Sequence, residues 1–175
     1  SFPTRRSSDL ITLSNTANAF GPATLATGGS DNATIYDQSA LVIAGANIGG
    51  TLDLAGGGTI GQTGAIHAAA LNATTTDGAI TLTNSGNSFA DASLDTSGSD
   101  GASLYDSANL NITGAAVGGA LNRSAGGSVG QTGAIHAAGV TVTTLILPDA
   151  QTRDSGRYTV IVSETTVSVT SSIAT

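Results

Sequence analysis

Residues 11–20 read ITLSNTANAF, and residues 80–89 read ITLTNSGNSF. The offset is 69, and it holds without a gap to Thr75 against Thr144, with 35 of the 65 aligned positions identical. Self-similarity of this kind is the signature of a repeat architecture. The chain therefore divides into residues 1–10, a first copy at 11–79, a second copy at 80–144, and a segment at 145–175 that departs from the pattern.

A shorter period sits inside the copy if 69 is read as 3 × 23. On that reading Phe20, Ile43 and Ile66 form one apolar ladder, continuing through Phe89, Ile112 and Ile135. Leu25, Ile48 and Leu71 form another, continuing through Leu94, Val117 and Val140. Short β-branched stretches such as TIYD, LVIAG and TLDLA alternate with the turn sequences GGSD, AGGG and TTDG, and no stretch sustains a helical period. The expected fold is all-β: a right-handed parallel β-helix with coils of about 23 residues. Six coils stack at about 4.8 Å per strand.

Composition narrows the function. The 175 residues carry net charge −7, only 10% charged side chains, five Arg and no Lys, and no Cys. Sparse cations argue against nucleic acid, whose phosphates demand clustered positive charge. No apolar run approaches the roughly 18 residues of a membrane span. Without Cys there is no disulfide or thiol nucleophile, and Glu164, His67 and His136 are few for acid–base work. No catalytic, cofactor or metal residue is assigned, and the expected protein is not an enzyme.

Several patterns resemble sites. Gly56–Gly61 satisfies G-x-G-x-x-G, but a dinucleotide site requires a helix after it; a turn between coils is the better reading. His67 and His136 are equivalent, three coils apart on the 23-residue reading, too far to share a metal, and are expected as solvated imidazoles. Asp31, Asp37, Asp100 and Asp106 are expected as solvated turn residues, with Ca²⁺ ligation or polysaccharide catalysis as alternatives. Asn32, Asn72, Asn111 and Asn122 begin N-x-[ST] triplets, which arise easily in such a composition. Tyr36 and Tyr105 are either aromatic steps for a ligand or stacked within the ladder.

At ITLTNSGNSF, SLYDSANLNITGAAVGGAL and GGSVGQTGAIHAA the chain resembles the repeat region of filamentous-haemagglutinin-type bacterial exoproteins. The resemblance covers residues 11–144. It implies a β-helix displayed outside the cell as part of a large adhesin, many of which leave by two-partner secretion through a transporter that recognises an N-terminal domain missing here. It supplies no catalytic residues and implies weak contact with glycans or proteins of host or neighbouring cells. A β-helix polysaccharide lyase or hydrolase fragment and a gene-prediction chimera without function of its own are the alternatives. Residues 145–175 resemble the last third of a bacterial immunoglobulin-like domain, with Asp154, Gly156 and Tyr158 in its D-x-G-x-Y corner and Val160 where disulfide-bearing members place Cys. They are expected as a hairpin-like tail docked near Ile135 and Val140. Residues 1–10 match neither part, lack the apolar run of a signal peptide, and resemble translated adapter sequence.

Overall fold

The computed structural model describes residues 10–142, all within the first of the chain's two units, Ser1–Leu145. The tail at 145–175, its expected hairpin and its docking lie outside the described residues, as does all of the leader but Leu10.

Alternating residues make the strands. Ala33–Asp37 (β3) and Thr51–Gly56 (β5) bury every second side chain, the period that puts one face inward and one outward. The same alternation recurs in Ala102–Asp106 (β10). With Ile11–Leu13 (β1), Ala23–Ala26 (β2), Leu41–Asn47 (β4), Ile60–Gln62 (β6), Ile66–Thr75 (β7), Ile80–Leu82 (β8), Ser88–Thr96 (β9), Leu110–Ala125 (β11), Val129–Gln131 (β12) and Ile135–Val142 (β13), they form one 13-stranded sheet. Every pairing between them is parallel. Wrapped on itself, the sheet is a β-solenoid of about 7 turns, with no helix among the described residues.

The coil is about 20 residues long, not 23. One column runs Ile11, Ala33, Leu52, Leu71, Ala92, Ile112. A second runs Leu41, Ile60, Ile80, Ala102, Leu121, Val140. Neither expected ladder exists: Ile43 stands between Ala23 and Gln62, Ile66 stands on Ala46, and Leu25 faces Ala46. Three coils of the first copy, Ile11 to Leu71, take 60 residues, and so do Ile80 to Val140 of the second. The 69-residue repeat therefore exceeds three coils by 9 residues, and equivalent residues of the two copies fall in different columns.

The core is a continuous file of Ala, Ile and Leu, among them Ile35, Leu52, Ile60, Leu71 and Leu82, with Phe89 as its largest member. Burying each Leu or Ile side chain stabilises the fold by about 1.5–3 kcal/mol. Glycine lets the turns stack. Gly29 and its equivalent Gly98 have φ of 57° and 61°, the left-handed region that favours glycine. On the next coil, a Cβ at Gly49 or Gly118 would run into the carbonyl of Gly29 or Gly98 respectively.

Candidate functional site

The outward face carries short polar side chains in columns. Thr12, Thr34, Asp53, Asn72 and Ser93 follow one another coil by coil. Within this column Asp53 accepts hydrogen bonds from both sides: from Asn72 Nδ2 at 2.7 Å and from Thr34 Oγ1 at 3.3 Å. The equivalent column of the second copy is Thr81, Ser103, Asn122 and Thr141, with Asn122 Nδ2 donating to Ser103 Oγ at 3.3 Å. Asn111 donates to Asp91 at 2.7 Å and to Thr132 at 3.1 Å. All four triplet asparagines thus belong to inter-coil hydrogen bonds, three of them through their Nδ2. The fourth, Asn32, accepts the Thr51 N–H at 2.8 Å.

Beside the second column lies a shallow depression of about 240 Å³, walled by Thr83, Ser103, Tyr105, Asn122, Arg123 and Ser124 together with Leu104. Its polar lining is hydroxyl, amide and one guanidinium, with neither carboxylate nor imidazole. Arg123 was not legible as a site residue. It points inward where the first copy has Leu54, is 7% exposed, and burial pushes its pKa below the ordinary arginine value.

The remaining candidates separate. His67 and His136 are both exposed, as expected, but they do not share a column: His67 stands between Asn47 and Ser88, His136 on Ala116. Gly56–Gly61 is a turn into the next strand with no helix after it. Tyr36 and Tyr105 are half-buried, in register with Ala55 and Ser124.

Asp37 and Asp106 correct the expectation of solvated turn carboxylates: they are 0% and 1% exposed. Asp37 Oδ2 accepts the Phe20 N–H at 2.5 Å, and its Oδ1 accepts the Ser39 N–H and Oγ–H, both at 2.8 Å. Burial alone would push this carboxyl up, but the three hydrogen bonds outweigh it and hold the pKa below its ordinary value. Asp106 repeats the arrangement with Phe89 and Ala108. Both are structural clamps. Asp31 and Asp100 are half-buried, and Asp100 accepts the Gly78 N–H at 2.8 Å. Among the described residues no group of three or more His, Cys, Asp or Glu is placed to hold a metal ion.

Asn87 was also missed. It is fully buried and satisfied on every side. Its Oδ1 accepts from Gln62 Nε2 and the Ile66 N–H, and its Nδ2 donates to Gln62 Oε1, the Leu82 carbonyl and the Tyr105 carbonyl. The one amide ties three successive coils together.

A family model described as repeats of unknown function, DUF5649, matches residues 30–96 and again 99–153. The two matches begin 69 residues apart and together cover more than half of the chain. The chain belongs to the DUF5649 repeat family. The DUF5649 repeat is thus a unit of nearly three and a half solenoid coils. Neither curated proteins nor solved structures provide a match.

Proposed function

We propose that this DUF5649 chain is a structural and binding segment of a secreted bacterial adhesin, displayed at the cell surface, with glycans or proteins of host or neighbouring cells as its partners. The observation that carries the reading is the Thr34–Asp53–Asn72 column. Its polar groups are hydrogen-bonded to one another across three coils, so they are fixed before any ligand arrives and lose little entropy on contact. Each contact is weak, and the column sets one polar group above another, coil by coil along one flank, so that several act together. The resemblance of residues 11–144 to filamentous-haemagglutinin-type repeats supports the surface location. The low charge and short polar side chains suit contact with neutral or weakly charged surfaces.

The test is adhesion of beads coated with the full chain to cells and to immobilised glycans. The wild-type chain is expected to hold beads that a Thr34→Ala, Asp53→Ala, Asn72→Ala triple variant does not. Equal retention of both, or of neither, overturns the reading. Release of reducing ends or unsaturated sugars from a polysaccharide would replace it with the enzymatic alternative.

A further inference from the structure

The junction between the two copies is visible inside the chain, and each end of the described solenoid is one half of it. At the junction the last coil of the first copy supplies Gln62 and the Ile66 N–H, and the first coil of the second copy supplies Asn87. Ile60 pairs with Ile80, His67 with Ser88 and Leu71 with Ala92.

Both half-junctions recur at the ends with their internal hydrogen bonds already made. In the last coil Gln131 Nε2 donates to the Gly133 carbonyl at 3.0 Å, as Gln62 Nε2 does to that of Gly64 at 2.6 Å. In the first coil Asn18 Nδ2 donates to the Leu13 carbonyl at 2.9 Å, as Asn87 Nδ2 does to that of Leu82 at 3.1 Å. Among the described residues no glutamine side chain bonds the Asn18 side chain and no asparagine side chain bonds that of Gln131, as Gln62 and Asn87 bond each other. Among the described residues, strands β1 and β2 each pair on one side only, as do β12 and β13.

Apolar exposure is confined to the same two places. The exposed large hydrophobic side chains among the described residues are Leu10 and Leu13 at the first coil and Val142 at the last. Leu13 is 38% exposed, whereas Leu82, its equivalent inside the junction, is fully covered. Val142 is 47% exposed, whereas Ala73, its equivalent, is 1% exposed.

We infer that the chain associates head to tail with a second copy of itself, residues 11–26 of one seated on residues 129–142 of the other in the register that joins its internal copies. In that register Ile11 meets Val129, Asn18 meets Gln131 and the Ile135 N–H, and Ala23 meets Val140. One position departs from the template. Pro22 stands where the second copy has Asp91. Outward residues of this solenoid donate their N–H to the preceding coil, as Gln38 does to Asn18 and Ser107 to Asn87, so Pro22 forgoes one hydrogen bond of the junction. The contact is heterologous, using different surfaces on the two partners, and it stacks one chain on the next along the coil axis, so it propagates as an open series instead of closing as a dimer.

Sedimentation velocity of the full chain over a concentration series is the test. Mass is expected to rise from 16.9 kDa through successive multiples. Gln131→Ala and Asn18→Ala each delete the cross-junction bonds on one end, and each alone is expected to weaken association about tenfold or more. Mixed together, the Gln131→Ala chain offers an intact head and the Asn18→Ala chain an intact tail, so the mixture recovers the wild-type contact and stops at a pair. Pro22→Asp restores the missing donor and is expected to tighten association. A wild-type chain that stays monomeric at every concentration overturns the inference. So does association that survives either substitution unchanged, or a mixture no more associated than its components.

Discussion

Asp106 accepts the backbone N–H of Phe89 at 2.6 Å, from 17 residues further along and one coil away. The same carboxylate takes the Ala108 N–H at 2.7 Å, so one side chain satisfies two donors that the turn removes from the strand ladder. Asp106→Ala leaves both donors without their partner in a buried setting and is expected to cost about 1–3 kcal/mol. Asp106→Asn keeps an acceptor and is expected to cost less. Urea unfolding of the three proteins checks the order; equal stability of the alanine and wild-type chains would refute the clamp.

Asp37 makes stability depend on acid. Its folded-state pKa lies below the ordinary value, so the folded state binds fewer protons than the unfolded state where the two differ. Its contribution is complete above the unfolded-state pKa, about 3.9, and is lost as pH falls through the folded value. Unfolding free energy measured from neutral pH down to about pH 3 is expected to fall less steeply in Asp37→Asn than in the wild type. Parallel profiles would assign the acid sensitivity elsewhere.

Asn87 and Asn18 occupy equivalent positions with unequal surroundings. Asn87→Ala strips partners from Gln62, the Ile66 N–H and two carbonyls, and is expected to cost about 1–3 kcal/mol or more. Asn18→Ala removes a single bond, to the Leu13 carbonyl, and is expected to change monomer stability by well under that amount. Thermal unfolding in dilute solution, where association is suppressed, separates the two.

Leu52 sits mid-column between Ala33 and Leu71 and is fully buried. Leu52→Ala is expected to cost about 2–5 kcal/mol through lost burial and the cavity left behind. Leu13→Ala, at the exposed first coil, is expected to cost far less. Comparable losses in denaturant titrations would contradict the placement of the core.

Two glycines should behave oppositely. A Cβ at Gly49 meets the Gly29 carbonyl, whereas one at Gly61, in β6, meets nothing within 4 Å. Gly49→Ala is expected to destabilise by about 1–3 kcal/mol through overpacking. Gly61→Ala is expected to be neutral or stabilising by about 0.4–1 kcal/mol through a less flexible unfolded chain. Melting temperatures of the two variants report the sign directly.

The parallel solenoid was legible because the 69-residue identity and the alternating strands are local facts of the chain. The coil length was not. Apolar residues are frequent enough that Phe20, Ile43 and Ile66 line up by number alone, and dividing 69 by three assumes that a repeat closes on a whole number of coils. Register is decided instead by turns of unequal length: the step from Ile11 to Ala33 is 22 residues and that from Ala33 to Leu52 is 19. The buried roles of Asp37, Asp106 and Asn87 were hidden for a related reason. Each satisfies groups on a neighbouring coil, 17 to 25 residues away, and the alternation that puts Asp37 in phase with Ala33 and Ile35 does not reveal which distant donors a carboxylate meets there. The outward columns were not legible, because the stacking of Thr34, Asp53 and Asn72 follows from the true coil length.

The 9 residues by which the repeat overshoots three coils give each copy a different compass bearing. His67 and His136 are the same residue of the same unit, yet they look out in different directions, as do Tyr36 and Tyr105. A flat partner pressed against one flank meets unlike residues from the two copies. A feature present once in each unit is therefore shown by the two copies on two flanks, set nearly half a coil apart.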